Sequence, residues 1–198
     1  MLCFRTGRVE WKISFWFFAL VAVFALLERG ALIFYLLLPI AVHEIGHLLV
    51  MYAYRVRIQW VAFTALGIQI RRNHDRGLSY LQEMLICFGG PAANLLMALW
   101  LHTACFHSMR NMLLVSANLA VAIFNLAPIG NLDGGQLLEL LTAHFFSPKT
   151  VRSVSKIASF LLLSLLFGFC LFLLFVHRLN LSLLTVCVFL TINVMLRD

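Results

Sequence analysis

The 198-residue sequence predicts an all-α polytopic membrane protein, with six transmembrane helices, a short membrane-associated β-hairpin and a broken third helix. Three observations carry this. Hydrophobic residues make up 63% of the chain and charged residues 12%, against roughly 25% charged in an ordinary soluble domain. Six charge-poor runs approach the about 20 residues needed to cross the hydrocarbon core as a helix. The basic residues concentrate on one side of those runs.

The runs cover about 13–27, 31–53, 80–106, 111–128, 157–176 and 179–196. With a cytoplasmic N-terminus, Arg5, Arg8, Lys12, Arg55, Arg57, Arg71, Arg72, Arg76, Lys149, Arg152, Lys156 and Arg197 lie inside, and only Arg29, Arg110 and Arg178 lie outside. This is the asymmetry expected of a multi-pass protein of a bacterial cell membrane with both termini cytoplasmic. The net charge of +7 is therefore a topology signal, and nucleic acid is not an expected partner. The first run resembles a signal peptide, but Leu27-Glu28-Arg29 follows it instead of a small-residue cleavage site, so it reads as retained. The five cysteines have no CxxC spacing and read as small buried hydrophobes.

No repeat or linker is visible, so a single domain over 1–198 is the simplest organisation. Two segments depart from plain helix. Between about 56 and 71, β-branched and aromatic residues alternate around Gly67, which predicts a short hairpin or paired strands at the membrane surface. In Cys87-Phe88-Gly89-Gly90-Pro91-Ala92-Ala93-Asn94, two glycines and a proline interrupt the third run. The break would free backbone groups that survive in lipid only when they face protein or a water-filled cavity. A Pro-kinked helix packed through small residues is the alternative.

The chemistry lies in His43-Glu44-Ile45-Gly46-His47, within the second run. Ionisable side chains are costly at that depth and usually functional. On a helix the i, i+4 spacing stacks both imidazoles on one face, where they can chelate one zinc ion, and Glu44 lies beside them as a base for water. A hydrogen-bonded structural cluster is the competing reading. A catalytic zinc commonly takes three protein ligands and a water. Among the remaining acids Asp133 stands out, in Asn125-Leu126-Ala127-Pro128-Ile129-Gly130-Asn131-Leu132-Asp133-Gly134-Gly135. Its run heads toward the same side as the histidines. The other reading of Asp133 is a helix cap at a loop.

These motifs resemble the site-2 protease family of intramembrane metalloproteases, particularly its compact bacterial branch. The likeness rests on His43-Glu44-x-x-His47, on Gly90-Pro91-Ala92-Ala93-Asn94 and on Asn125-x-x-Pro128-x-x-x-x-Asp133-Gly134, in the family's order. It implies one zinc per chain held by His43, His47 and Asp133, with Glu44 as catalytic acid/base. Asn94 and Asn125, with Gly90 and Pro91, would support the site or the substrate. It further implies cleavage of a transmembrane or membrane-associated protein near the cytoplasmic face, releasing a cytosolic regulator such as a sigma-factor-like transcription factor, as in sporulation. The strand region would offer a backbone edge to an extended substrate. No PDZ insertion or CBS-type domain is expected, so control would come from a separate membrane regulator or from substrate supply.

Two other classes compete. A zinc transporter would also place His and Asp in the membrane, but it commonly shows paired half-repeats, and none is visible. A non-proteolytic scaffold would bind clients without cutting them, yet all four key positions retain reactive residues.

Overall fold

The computed structural model describes residues 2–6, 9–15, 18–19, 22, 32–64, 67–72, 77–104, 108–130, 132–176 and 181–195. In chain order the elements are strands β1 (Leu2–Thr6) and β2 (Val9–Ile13), helix α1 (Leu32–Ala53), strands β3 (Ile58–Thr64) and β4 (Gly67–Arg72), and helices α2 (Tyr80–Ala104), α3 (Met109–Asn125), α4 (Asp133–Ala143), α5 (Pro148–Phe175) and α6 (Leu181–Met195). They fall into two compact units, Met1–Ala122 and Ile123–Asp198.

In the first unit the expected hairpin is present as β3 and β4, paired antiparallel from Ile58↔Arg72 to Thr64↔Gly67, with an irregularity between Ile58 and Trp60. It belongs to a larger sheet of order β1-β2-β3-β4. The N-terminal hairpin pairs β1 with β2 antiparallel, and β2 then runs parallel to β3, with Trp11 opposite Val61. Trp11 stacks between Phe4 and Phe63 at centroid distances of 6.3 and 6.2 Å, which ties three strands together through one face. On the other face Lys12 lies 5.1 Å from the centre of the Trp60 ring and 3.7 Å from Glu10.

The two principal helices of this unit, α1 and α2, cross where both are narrow. A Cβ on Gly46 would collide with the Gly89 carbonyl, and one on Gly89 would come within 2.9 Å of the Gly46 carbonyl oxygen and of Val50 Cγ2. Small residues at such a crossing let backbones approach, the main means of helix association where water supplies no driving force. Along α1, His43, Gly46, His47 and Met51 form the buried stripe, while Ile45, Leu49 and Tyr52 face outward. Apolar residues on the exposed side are what a lipid-facing helix presents.

α2 corrects one expectation. It is a single continuous helix through Gly89-Gly90-Pro91, with Pro91 inside it, and is not broken. Pro91 supplies no N–H to the carbonyl four residues back, but one missing bond kinks or weakens a helix without ending it when the neighbouring turns are packed. The two glycines serve the close approach to α1 instead of an unwound segment.

The second unit is built on α5, whose N-terminus is capped by the Ser147 side chain accepting from the Thr150 amide, with Pro148 in the first turn. Ile129, Leu163 and Leu190 form its core, with Phe124, Ala127, Leu132, Leu162, Leu166, Val186, Phe189 and Val194 packed around them. The stretch after Pro128, between the fourth and fifth expected spans, enters the short helix α4.

Among the described residues, two helices are long and apolar enough to cross a membrane, Tyr80–Thr103 and Pro148–Phe175; Leu37–Ala53, Met109–Asn125 and Leu183–Ile192 are shorter apolar helices. α5 begins nine residues before the expected 157, because Ser147-Pro148 forms a helix start ahead of the apolar run. The first expected span, 13–27, lies largely outside the described residues, and Ile13 itself ends β2.

Candidate metal centre

His43 and His47 lie on α1, both buried, at 5% and 8% exposure. Their rings meet edge to face with centroids 4.7 Å apart. The two Nε2 atoms are 3.1 Å apart. His47 Nδ1–H donates to the Ile86 carbonyl oxygen on α2 at 2.7 Å. A carbonyl can only accept, so this bond places the proton on Nδ1 and turns the Nε2 lone pair toward His43.

The space beside the two Nε2 atoms exists because residue 90 has no side chain. A Cβ there would meet His47 Nε2 and lie 2.7 Å from His43 Cε1 and 2.8 Å from His43 Nε2. Two imidazoles on a tetrahedral zinc, with bonds of about 2.0–2.1 Å, place their nitrogens roughly 3.3 Å apart. The observed 3.1 Å suits that pair with little adjustment. An outer hydrogen bond to a backbone carbonyl is also the usual way a metal-binding histidine is oriented.

Glu44 follows His43 on the same helix and is half-buried. Pro91 and Asn94 continue α2 beyond Gly90, and both are buried. Asn94 lies one turn from Gly90 and is wholly buried, and neither of its side-chain polar atoms has a partner among the described residues. A buried amide in that condition costs about 1–3 kcal/mol.

The second unit holds Asp133 and Asn125. Asp133 is the first residue of α4, and Leu132, with extended backbone at φ −76° and ψ 159°, occupies the cap position. Asp133 is half-buried at the helix start, and the Leu132 side chain makes no capping hydrogen bond. Asn125 is the last residue of α3.

Several contributors escaped sequence reasoning. The Ile86 carbonyl is a backbone group and has no sequence signature. The Gly46–Gly89 contact was legible only as two glycines in apolar runs. Ser159, which touches the turn before Asp133, looked like one of several serines in the fifth run.

Helical fold and donor pattern together resemble those of the site-2 proteases. The solved structure of the Site-2 Protease from Methanocaldococcus jannaschii is similar, with a TM-score of 0.67 over 99% of this chain and 94% of that one, at 20% identity. The model of peptidase family M50 matches residues 105–169, a stretch that includes Asn125 and Asp133. Stage IV sporulation protein FB of Bacillus subtilis (strain 168) is 30% identical over 112 residues, which are 54% of this chain and 38% of that protein. The aligned part thus spans about two fifths of that relative's length. These findings bear out the resemblance to peptidase family M50 read from the motifs.

Proposed function

We propose that this chain is an intramembrane zinc metalloprotease in which His43, His47 and Asp133 hold one zinc ion and Glu44 is the catalytic acid/base. The observation that carries the reading is the pair of Nε2 atoms 3.1 Å apart beside the space left at Gly90, with the His47 tautomer set by Ile86. Each of His43, His47 and Asp133 offers one ligand atom. Two neutral imidazoles and one carboxylate are a donor set that catalytic zinc accepts.

When bound, zinc supplies Lewis-acid polarisation of the scissile carbonyl and acidifies the attacking water. The Glu44 carboxylate takes a proton from that water as its oxygen bonds to the carbonyl carbon. It then gives the proton to the amine nitrogen as the C–N bond breaks. His47 stays oriented through its Nδ1–H bond, and the apolar helix surfaces limit access of bulk water. Asn94 offers one donor group and one acceptor, a match for a substrate peptide unit, and Asn125 and Pro91 support the site.

The substrate class is a transmembrane or membrane-associated protein. A helical substrate must unwind before attack because its carbonyls are already bonded. β4 lies at the sheet edge, and its outer backbone groups suit pairing with an extended segment. The positive-inside pattern supports cytoplasmic termini and a cut on that side, which would release a cytosolic regulator, and the name of the Bacillus relative favours a developmental one. A separate membrane protein would control access.

The test compares wild type with Glu44→Gln in lipid nanodiscs at matched zinc content, on a membrane-anchored substrate. Glu44→Gln is expected to keep zinc and lose cleavage by about 10²–10⁴-fold; equal cleavage by both proteins rejects the assignment.

A further inference from the structure

We propose that Ser159 is a positioning residue for Asp133, its buried hydroxyl holding the turn 128–130 on which the first turn of α4 is seated. This rests on the reading of Asp133 as a zinc ligand and adds what fixes that ligand in place.

Ser159 lies on α5 with 2% exposure, in a stripe with Val151, Ser155 and Leu163 at four-residue intervals. Its Oγ accepts from the Gly130 amide at 3.2 Å and donates to the Pro128 carbonyl at 3.3 Å. A hydroxyl has one proton and two lone pairs, so it can make both bonds at once. The turn it clamps is unusual in two ways. Gly130 has φ 28°, in the left-handed region, and Ile129 between the two bonded groups is wholly buried in the core. Backbone polar groups drawn into an apolar core by such a residue need partners that water cannot supply.

α4 is built directly on this turn. The Leu132 amide bonds to the Ile129 carbonyl at 2.9 Å and the Gln136 amide to the Leu132 carbonyl at 3.1 Å. A Cβ on Gly134 would strike the Leu126 carbonyl, and one on Gly135 would lie 2.7 Å from the Ile129 carbonyl carbon and the Gly130 carbonyl oxygen. Gly135 therefore rests on the backbone that Ser159 holds, and Gly134 on the residues just before it. A shift of the turn moves the start of α4, and Asp133 with it. Groups that orient a metal ligand from behind typically change affinity about 10–100-fold when removed.

The experiment measures zinc affinity of the full chain in nanodiscs by competition with a chromophoric chelator, with melting of the zinc-free protein followed in parallel. Variants are Ser159→Ala, Ser159→Cys, Asp133→Asn and, as a matched buried serine on the same stripe, Ser155→Ala. Ser159→Ala is expected to weaken zinc binding about 10–100-fold, with Ser159→Cys intermediate and Ser155→Ala unchanged. If Ser159→Ala binds zinc as tightly as Ser155→Ala and only lowers the melting temperature of the zinc-free protein, the role is structural and the proposal is overturned while the Asp133 assignment stands. If Asp133→Asn binds zinc as wild type does, the ligand reading fails and the positioning role falls with it. Should Ser159→Ala fail to fold, Ser159→Cys decides: wild-type zinc affinity there, with a sulfur that bonds weakly, also overturns it.

Discussion

His47 donates its Nδ1 proton to the carbonyl of Ile86 across 2.7 Å, a bond between α1 and α2 that spans 39 residues of sequence. It links the crossing of two helices to the protonation pattern of one imidazole, so the packing of α1 on α2 and the capacity of His47 to bind a metal through Nε2 are one property. The geometry can be tested at each point where it is tight.

Gly90→Ala puts a methyl group against both imidazoles, within 2.8 Å of His43 Nε2. Zinc affinity is expected to fall at least about tenfold while helix content stays at the wild-type level. Zinc stoichiometry by mass spectrometry beside far-ultraviolet circular dichroism checks this; full zinc retention would show that the rings do not use that space.

Gly46→Ala disturbs the crossing itself, since its Cβ would meet the Gly89 carbonyl and lie 2.6 Å from Ala93 Cβ. Overpacking of this kind costs about 1–3 kcal/mol. Denaturant unfolding in mixed micelles should register that loss, and Gly168→Ala, where a Cβ would meet nothing within 4 Å among the described residues, should not.

Asn94→Leu should separate stability from activity. Asn94 is wholly buried with two polar atoms lacking partners among the described residues, so an apolar side chain of similar size is expected to stabilise the resting protein by about 1 kcal/mol. Cleavage should fall at the same time, chiefly as a raised KM. A destabilised variant with normal KM would mean that Asn94 is a structural amide.

Chelation by 1,10-phenanthroline is expected to abolish cleavage and added zinc to restore it. Asp133→Asn should require a higher zinc concentration for the same recovery, because an amide oxygen is a weaker ligand than a carboxylate. Recovery at identical zinc in both proteins would remove Asp133 from the ligand set.

Trp11→Ala removes two ring stacks from the sheet, each contributing about 0.5–1.5 kcal/mol beyond its buried area. Hydrogen exchange should accelerate in β1 and β2, with β3 and β4 retaining their mutual protection. Uniform acceleration across all four strands would indicate that the sheet opens as one unit.

What could be read in advance followed from short-range pattern. The hairpin expected at about 56–71 appears at 58–72, because strand alternation and a turn glycine are local signals. The N-terminal hairpin is not among the elements the sequence predicts although Val9-Glu10-Trp11-Lys12-Ile13 alternates clearly: its charges also fit a membrane-flanking segment, and its partner β3 lies about 50 residues away. Gly89-Gly90-Pro91 predicts a break because proline opposes helix locally, whereas α2 runs continuously through it, packed against Gly46.

The sequence by itself determined the membrane class, through composition, and the histidine pair, through a helical period that puts residues four apart on one face. It also singled out Glu44 and Asp133 by the cost of carboxylates in apolar surroundings. Only the tertiary structure decided which His47 nitrogen faces His43, why residue 90 has no side chain, and which hydroxyl holds the turn before Asp133. The physical reason is that these depend on backbone carbonyls and amides brought together from distant segments. Every residue but proline carries both groups, so no residue type announces where they will be used.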